Sequence, residues 1–247
     1  MGSSRLPGKV LMPVLGRPLL SYLLERVSPA TKLQKIIVAT STEAADTIVA
    51  ETAASAGATV FRGSEEDVLG RYYGAAKESA LDFVVRVTAD CPLLDCDMLD
   101  WFIGEFEARS DLDYLQTGPT FPEGYDMEIF RFAALEQAWR EARKGLEREH
   151  VTPYIRENPD LFKVGQLACP YGDLSWVRVT VDEPEDFEVV KAIIEDIYPV
   201  DPHFRLANVL DYLRDKRPDL VEKNRHIQRN EGYLRSLAEE ERLDGEN

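Results

Sequence analysis

The first residues able to do chemistry are two cations in a glycine-containing segment near the amino terminus. Residues 2–20 read GSSRLPGKVLMPVLGRPLL and contain three glycines and no acidic residue. Arg5 offers a planar fork of N–H donors and Lys9 a point charge, while glycine lets backbone N–H groups approach an oxyanion closely. The segment predicts either a phosphate-binding loop or an exposed basic turn.

The spacing within this segment excludes the common Walker A loop. Gly2 and Gly8 are one residue too far apart, and Val10 follows Lys9 where Ser or Thr would bind magnesium. If the segment binds phosphate, it does so with a different loop geometry.

Two aspartates follow apolar runs that read as strands. Asp90 ends DFVVRVTAD and Asp182 ends WVRVTVD. In open α/β sheets ligands bind at the carboxyl ends of strands, and Mg²⁺ takes one or two carboxylates together with water and phosphate. The pair therefore predicts a magnesium site. Each aspartate alone also reads as a turn or helix-start residue, and Pro184 soon after Asp182 favours a helix start there.

Several other polar residues are weaker candidates for a binding pocket. Asp126 and Glu128 alternate with apolar residues, so both lie on one face of a strand that borders either solvent or a cleft. Arg148, Glu149 and His150 are consecutive and read either as pocket-lining residues or as a solvated helix end.

The elements that must position these residues alternate between strand and helix patterns. Short apolar runs such as KIIVAT (35–40) and TVFRG (59–63) are separated by helical segments. This order predicts an α/β fold with a mainly parallel sheet covered by helices on both faces. We predict one domain over residues 1–215, with residues 110–170 as a substrate or dimerisation lobe, and a charged helical tail over 216–247.

Composition excludes several classes of protein. The net charge of −16 disfavours nucleic-acid binding, because phosphate backbones need cationic faces. No run approaches the roughly 18 apolar residues that a membrane helix needs. The three cysteines are too few and too poorly spaced for a disulfide framework. We therefore expect a cytoplasmic protein with reduced thiols, no membrane insertion and no nucleic-acid partner.

Six motifs taken in order resemble one known family. GSSRLPGKVLMPVLGRPLL is similar to the signature loop of the sugar-acid cytidylyltransferases. DVLGRYYGAA, RVTADCPLLD, EGYDMEIF, EREHVTPYI and RVTVDEPEDFEVV resemble more closely the spore-coat polysaccharide biosynthesis protein F branch. The resemblance extends to about residue 230.

The resemblance implies a nucleotide-diphosphosugar-transferase fold, which is GT-A-like and Rossmann-like and has a mixed, mainly parallel sheet with helices on both faces. It also implies a reaction in which CTP and a sugar acid of the sialic or pseudaminic type give a CMP-sugar and pyrophosphate, for surface polysaccharide or glycoconjugate synthesis. Family members are often dimers, so a homodimer is expected.

The same resemblance assigns residue roles by motif. Arg5 and Lys9, with Ser3 and Ser4 nearby, would hold the triphosphate. Asp90 and Asp182 would hold Mg²⁺ and complete the catalytic set. Arg71 would line the nucleotide side, although its position four residues after Asp67 also suits a surface ion pair. The sugar side would be lined by Asp126, Glu128, Arg148, Glu149 and His150.

Two other function classes remain open at the level of sequence. One is a glycosyltransferase of the same fold that consumes a nucleotide sugar, since Asp95-Cys96-Asp97 has the metal-binding D-x-D form, although it reads better as a helix start. The other is a non-catalytic nucleotide-binding protein. Pyrophosphate release from CTP separates these alternatives from a cytidylyltransferase.

A final expectation concerns the first strand of the sheet. A phosphate loop in such a sheet is presented by the strand before it, and here the loop opens at residue 2. We therefore predict that the first strand is missing and that the natural chain starts upstream of Met1, or that this form is impaired. The alternative is a genuine short form in which another strand fills the gap.

Overall fold

The structure is a computed structural model, and it describes residues 5–245, excluding the side chains of 243–245. The predicted nucleotide-side residues Ser3 and Ser4 lie outside the described residues.

The strands form a hairpin and two sheets. A short hairpin follows the basic segment, β3 and β4 form a parallel pair, and four further strands form a sheet in the order β5-β7-β6-β8. The bounds are β1 Pro13–Val14, β2 Arg17–Pro18, β3 Ile37–Ser41, β4 Thr59–Gly63, β5 Phe83–Arg86, β6 Tyr114–Thr117, β7 Glu128–Arg131 and β8 Val164–Leu167.

Eleven α-helices connect and cover these strands within the described residues. Short 3₁₀ turns occur at Lys9–Leu11 and Ala44–Asp46, and a π-type turn at Tyr212–Lys216. The helices are α1 Leu19–Val27, α2 Thr47–Ser55, α3 Val68–Glu78, α4 Cys96–Glu107, α5 Phe132–Glu141, α6 Gly145–His150, α7 Pro153–Arg156, α8 Pro184–Ile197, α9 Leu206–Asp211, α10 Pro218–Lys223 and α11 Glu231–Gly245.

Helices cover both faces of the sheet, as the sequence predicts. Leu115 and Ile129 point into the larger core, which includes apolar residues of α1, α4 and α8. Tyr114 and Phe130, one position away on the same strands, point into a second core with α3 and α5. Successive side chains of β6 and β7 therefore point to opposite faces of the sheet and contribute to two separate hydrophobic cores.

The predicted mixed sheet is confirmed, but it is not mainly parallel, because parallel and antiparallel pairs occur in equal number among β3–β8. β3 pairs with β4, and β6 with β8, in parallel, whereas β7 is antiparallel to both β5 and β6. No helix lies between β6 and β7, so the chain turns back and can place β7 beside β6 only in the antiparallel sense.

The apolar run before Asp182 does not form a regular ladder strand. Val177, Val179 and Val181 are buried and extended, as their alternation predicts. The segment makes only an isolated bridge between Arg178 and Glu123. Its other backbone hydrogen bonds are made to loops. The segment therefore has the sequence pattern of a strand but joins neither sheet.

The predicted lobe and the predicted tail both pack with the rest of the described chain. Residues 110–170 supply β6, β7 and β8 of the four-stranded sheet, and also the helices α5–α7, which lie between β7 and β8 in the chain. In the tail, α10 packs on α8 and α11 packs on α6. The roles predicted for the lobe and the tail remain predictions. No helix among the described residues has the length and apolar character needed to cross a membrane.

Candidate active site

Lys9 lies between two carboxylates. Its Nζ is 2.6 Å from Asp90 Oδ2 and 2.6 Å from Asp182 Oδ1. The side chains of Lys9, Asp90 and Asp182 are 14%, 21% and 20% exposed, so the cluster is largely shielded but reachable from solvent. The structure thus brings together three of the four residues that the sequence predicts as catalytic.

Backbone geometry explains why these residues meet. Gly8 has a φ of 72°, a left-handed conformation that favours glycine, and it begins the 3₁₀ turn that carries Lys9. Val181 donates its N–H to the carbonyl oxygen of Asp90 at 2.9 Å. The chain after β5 and the segment before Asp182 therefore run side by side and present both carboxylates to the loop.

The charges of this cluster stabilise one another. Burial alone would lower the pKa of Lys9, but Asp90 and Asp182 outweigh it, so the pKa lies above its ordinary value. Burial would raise the pKa of Asp90, but Lys9 outweighs it, so that pKa lies below its ordinary value. At neutral pH Lys9 is protonated and Asp90 is ionised.

Arg5 lies beside the same cluster and contacts three acids. Its Nη2 is 3.0 Å from Asp182 Oδ1, and its Nη1 is 3.2 Å from both Glu183 Oε1 and Glu231 Oε2. Glu231 is the first residue of α11, so the carboxyl-terminal helix begins against the predicted phosphate-binding arginine.

We expect Glu231→Gln to increase CTP affinity by about two- to fivefold, because the substitution removes an anion that competes with phosphate for Arg5. Glu239 lies on the same helix and is exposed, so Glu239→Gln is the matched control. Titration calorimetry with CTP measures the effect. Equal affinities in the two variants would contradict a role of Glu231 as competitor.

A buried network holds the Asp182 segment in place. The Nε and Nη2 of Arg178 each lie 2.8 Å from an oxygen of Asp186, and Nη1 lies 2.5 Å from Glu123 Oε2. Asp186 is fully buried and also accepts the backbone N–H of Asp182 at 3.0 Å. Asn224, just after α10, donates to Asp186 at 2.9 Å. The network ties three distant segments together beneath the site.

Asp186→Ala should lower the free energy of unfolding by about 3–5 kcal/mol, because it leaves Arg178 as a buried charge without its main partner. In a chain of this size that corresponds to a fall in Tm of about 6–20 °C. Glu188 lies on the same helix and is exposed, so Glu188→Ala should shift Tm by no more than roughly 2 °C. Thermal melts followed by circular dichroism test this, and matching shifts would show that the network is not structural.

The donor set suits a divalent cation held jointly with phosphate. Residues 5–245 contain no group of three or more His, Cys, Asp or Glu that could hold a metal ion. Mg²⁺ needs only one or two carboxylates when phosphate and water complete its shell. Asp90 and Asp182 both contact a cationic nitrogen. With all partners of these groups counted, six carboxylates (Asp90, Glu123, Asp182, Glu183, Asp186 and Glu231) pair with four cations (Arg5, Lys9, Arg178 and Arg235). The cluster thus carries an excess of negative charge, and the residues fit Mg²⁺.

Arg71, predicted to line the nucleotide side, lies at the carboxyl end of a parallel strand. A Cβ on Gly63, the last residue of β4, would meet the Arg71 side chain. The Nε of Arg71 is buried without a hydrogen-bond partner in the described part of the chain. The surface pair with Asp67 is not formed, because Asp67 caps α3 and pairs with Arg148. Arg71 is not brought into contact with Lys9.

Glu128 belongs to a second buried polar cluster. It pairs with Arg86 on the neighbouring strand and accepts hydrogen bonds from Tyr114 Oη at 2.5 Å and Thr152 Oγ1 at 2.6 Å. Burial would raise the pKa of Glu128, but Arg86 outweighs it and the pKa lies below its ordinary value. Arg86 lies four residues before Asp90, so this cluster lines the strand that leads to the site.

The other sugar-side candidates have different surroundings. Asp126 pairs with Arg229 Nη2 at 2.5 Å. Arg148 pairs with Asp67 and donates to a carbonyl oxygen at the end of α5, so its contacts join helices. Glu149 is largely exposed.

His150 faces α11. Its Nε2 lies 3.0 Å from Ser236 Oγ, and burial lowers its pKa, so the imidazole is neutral at pH 7. The weak sugar-side candidates therefore do not form one constellation, although Glu128 and His150 interact electrostatically.

Sequence reasoning missed Arg86 and Arg178. Both are cations inside otherwise apolar strand patterns, DFVVRVTAD and WVRVTVD. A cation at such a position is buried only when it is paired, and this rule would have identified both as members of buried networks. The contact of Glu231 with Arg5 left no signal in the sequence.

The D-x-D alternative is not supported by the geometry. Asp95 is buried and caps α4 by accepting the backbone N–H groups of Asp97 and Met98 at 3.1 Å each. It also accepts the N–H of Leu206 at 2.8 Å, while Asp97 pairs with Arg205. Asp95-Cys96-Asp97 is the start of α4, as the sequence analysis favours.

Two cations beside two carboxylates at the edge of an α/β sheet are groups that an enzyme of phosphate transfer uses to hold phosphate and a divalent cation. Residues 1–235 match the family model described as Cytidylyltransferase, so the chain belongs to the cytidylyltransferase family. Its members are nucleotidyltransferases that use CTP, and this protein is one of them.

Similar proteins support this assignment along the chain. An uncharacterized protein of Methanocaldococcus jannaschii is 40% identical over 232 residues, covering 92% of this chain and 91% of that protein. The spore coat polysaccharide biosynthesis protein SpsF of Bacillus subtilis is 35% identical over 207 residues, covering 79% and 83%. A 3-deoxy-manno-octulosonate cytidylyltransferase of Geotalea daltonii is 28% identical over 245 residues, covering 87% and 95%.

A solved structure has the same fold. The cytidylyltransferase of Leptospira borgpetersenii serovar Hardjo-bovis superposes with a TM-score of 0.83 at 34% identity, covering 90% of this chain and 92% of that one. The predicted membership of the cytidylyltransferase family, with the spore-coat protein among its relatives, is thereby confirmed.

Proposed function

We propose that the protein transfers a cytidylyl group from CTP to a sugar acid, forming a CMP-sugar and pyrophosphate for polysaccharide synthesis. The observation that carries the proposal is Lys9 between Asp90 and Asp182 with Arg5 alongside. The names of two relatives support a sugar-acid substrate. One is a spore coat polysaccharide biosynthesis protein and the other is a 3-deoxy-manno-octulosonate cytidylyltransferase. A sialic or pseudaminic type of sugar is the finer form of the proposal.

The reaction needs one bond to form and one to break. A hydroxyl oxygen of the sugar acid bonds to the α-phosphorus, and the bond from that phosphorus to the bridging oxygen of the β-phosphate breaks. Pyrophosphate leaves with the bridging oxygen, and the hydroxyl proton passes to water or to a carboxylate such as Asp182. Such transfers depend on positioning and charge neutralisation more than on covalent catalysis.

Arg5 and Lys9 supply the neutralising charge. Each is now paired with carboxylates, and each would exchange part of that pairing for phosphate oxygens when CTP binds. Arg5 can engage two oxygens through its fork, while Lys9 acts as a point charge. In this position they would stabilise the charge that develops on the leaving pyrophosphate.

We propose that Asp90 and Asp182 hold Mg²⁺ together with the phosphates. When bound, the ion neutralises phosphate charge and orients the triphosphate. The excess of carboxylates over cations in the cluster supports this assignment, because a metal–triphosphate complex meets less repulsion there than a free triphosphate.

The second cluster suits the sugar side. The side chains of Arg86 and Glu128, 19% and 14% exposed, lie beside Thr152, and Arg156 interacts electrostatically with Glu128. The Nε atoms of Arg86 and Arg156 are buried without a hydrogen-bond partner in the described residues. We propose that a sugar-acid carboxylate binds in this region, because unpaired guanidinium donors suit a planar anion.

The decisive experiment combines each of the four nucleoside triphosphates with a panel of acidic and neutral sugars and measures pyrophosphate. We expect release only with CTP, an acidic sugar and Mg²⁺. A parallel incubation with UDP-sugars and GDP-sugars measures release of UDP or GDP, which would show a glycosyltransferase instead. Tight CTP binding without turnover across the panel would show a non-catalytic binding protein. The homodimer remains a prediction that light scattering would test.

A further inference from the structure

The carboxyl-terminal helix α11 lies across both halves of the proposed site. In its first turn Glu231 Oε2 lies 3.2 Å from Arg5 Nη1, and a Cβ on Gly232 would lie 3.5 Å from Arg5 Nη2. One turn further on, Ser236 Oγ lies 3.0 Å from His150 Nε2. The same helix therefore contacts the arginine predicted to hold the triphosphate and the histidine predicted to line the sugar side.

Tyr233 covers the sugar side from this helix. Its ring packs edge-on against the ring of His150, with centroids 5.2 Å apart, and the guanidinium of Arg156 lies 5.1 Å from its centroid. Its hydroxyl donates to Glu157 at 3.0 Å. Arg156, whose buried Nε has no hydrogen-bond partner among the described residues, is thus covered by an aromatic side chain of α11.

α11 contributes no buried side chain to the core. Among its residues whose side chains the structure describes, 231–242, none is buried and none belongs to the hydrophobic clusters. Its contact with the start of α6 is polar, since Glu240 accepts the N–H of Leu146 at 3.0 Å. Partly exposed polar contacts each contribute little stability, so this helix detaches more readily than an element with a buried apolar face.

The chain is held firmly just before α11. Arg229 donates to the carbonyl oxygens of Pro119 and Phe121 at 3.1 Å and 2.7 Å. The N–H of Asn230 donates to Glu123 at 3.1 Å. Asn230 has a φ of 56°, in the left-handed region, which asparagine adopts more readily than most residues. The turn between a fixed segment and a loosely held helix places a hinge at Asn230.

Of the three acids that pair with Arg5, Glu231 lies on the element that can detach. Asp182 and Glu183 are held through their backbone N–H groups by the buried carboxylate of Asp186, at 3.0 Å and 3.1 Å. The other ion pair of Glu231 is made within α11 itself. An anion that binds Arg5 therefore displaces Glu231 with the least disturbance of the buried network.

The charge of α11 opposes a phosphate ligand. The helix contains five acidic and two basic residues. A triphosphate is a polyanion, so it attracts Arg5 and repels this helix. This repulsion adds to the exchange of partners at Arg5 and favours release of α11.

We propose that α11 is a strap that closes both sides of the site in the nucleotide-free protein, and that a bound triphosphate releases it by taking Arg5 from Glu231. Release begins at Asn230 and carries Tyr233 away from the sugar side. The sugar side therefore opens only after the triphosphate binds, which sets the order of substrate binding. The inference rests on the proposed function for the triphosphate, while the strap itself follows from the contacts of α11.

The test follows amide hydrogen exchange of residues 231–242 by mass spectrometry in the complete 247-residue chain. The probes are inorganic tripolyphosphate and CTP, each with Mg²⁺, and calorimetry establishes that they bind. We expect a bound probe to speed exchange in this helix at least about tenfold, because a detached helix loses its protection. Glu231→Gln should speed it about two- to fivefold without a ligand. Glu239→Gln, the matched control, should behave like the parent.

A second readout follows the sugar side. His150 is one of three histidines in the chain, and His150→Gln identifies its imidazole signal in the proton NMR spectrum. Bound tripolyphosphate should shift this signal, because the ring of Tyr233 leaves its neighbourhood. An unshifted signal with the anion bound would contradict release at the sugar side and overturn the proposal.

Unchanged exchange of residues 231–242 with bound tripolyphosphate would also overturn the strap, whether or not CTP is the nucleotide. The same conclusion would follow if tripolyphosphate bound neither the parent nor Glu231→Gln. Faster exchange of α4 together with α11 in Glu231→Gln would show that Glu231 stabilises the whole fold, which contradicts the proposal. Release by tripolyphosphate in a protein that neither binds nor turns over CTP would support the strap and refute the proposed function.

Discussion

Replacing Lys9 by alanine should lower the rate of CMP-sugar formation by about 10²–10³-fold, the usual cost of removing one donor that stabilises developing charge. It should also weaken CTP binding more than sugar binding. The physical reason is the position of Nζ, 2.6 Å from Asp90 and from Asp182, where it is the cation that offsets both. Without it the two carboxylates repel each other and any incoming phosphate.

Lys32→Ala is the matched control for this prediction. Lys32 also pairs with a carboxylate, Glu107, at 2.6 Å, but this pair is exposed. Exposed ion pairs contribute at most about 1 kcal/mol, so activity and Tm should hardly change. Calorimetry with CTP and a pyrophosphate assay measure both variants. Unchanged CTP affinity in Lys9→Ala would refute the phosphate role of Lys9.

Asp182→Asn should reduce magnesium-dependent turnover by at least about 10³-fold while Tm stays near that of the parent. A metal contributes several kcal/mol to such a transition state, and each 1.36 kcal/mol is a factor of ten. Asp182 contacts Arg5, Lys9 and Arg178, which makes it the most connected carboxylate of the cluster. Asp90→Asn should have the same effect on turnover.

Two comparisons separate a site role from a structural role. Asp97→Asn changes an exposed aspartate that pairs with Arg205 at 2.8 Å, and it should leave turnover unchanged. Asp186→Ala changes the buried partner of Arg178, which is four residues after Asp182. This variant should lower Tm, whereas Asp182→Asn should not. Asp182→Asn with near-parent activity at saturating Mg²⁺ would show that Asp182 does not bind the metal.

Local elements were largely predictable from residue patterns. The strand TVFRG matches β4, and the helix start that Pro184 favours is the first residue of α8. Leu19, Leu20, Leu23, Leu24 and Val27 have the spacing of one apolar face of a helix, and all five are buried in α1. These features depend on propensity and periodicity, which act over a few residues.

Strand pairing was not predictable in the same way. The run before Asp182 alternates like a strand, yet it bonds to loops at Asp90 and Glu123. An alternation with a period of two indicates which side chains of a segment are buried. It carries no information on which other segment will pair with its backbone. For the same reason the antiparallel placement of β7 left no sign in its residues.

Residue types and the family motifs were enough to predict Arg5, Lys9, Asp90 and Asp182 as one site. The structure brings these four side chains together, and their catalytic and metal-binding roles stay predictions. Only the tertiary structure decided that Lys9 pairs with both aspartates and that Glu231 pairs with Arg5. These contacts join residues 81 to 226 positions apart. Such side-chain pairings depend on which distant segments lie side by side, as the bond from Val181 N–H to the Asp90 carbonyl oxygen shows, and that placement is set by the whole fold rather than by any one stretch of sequence.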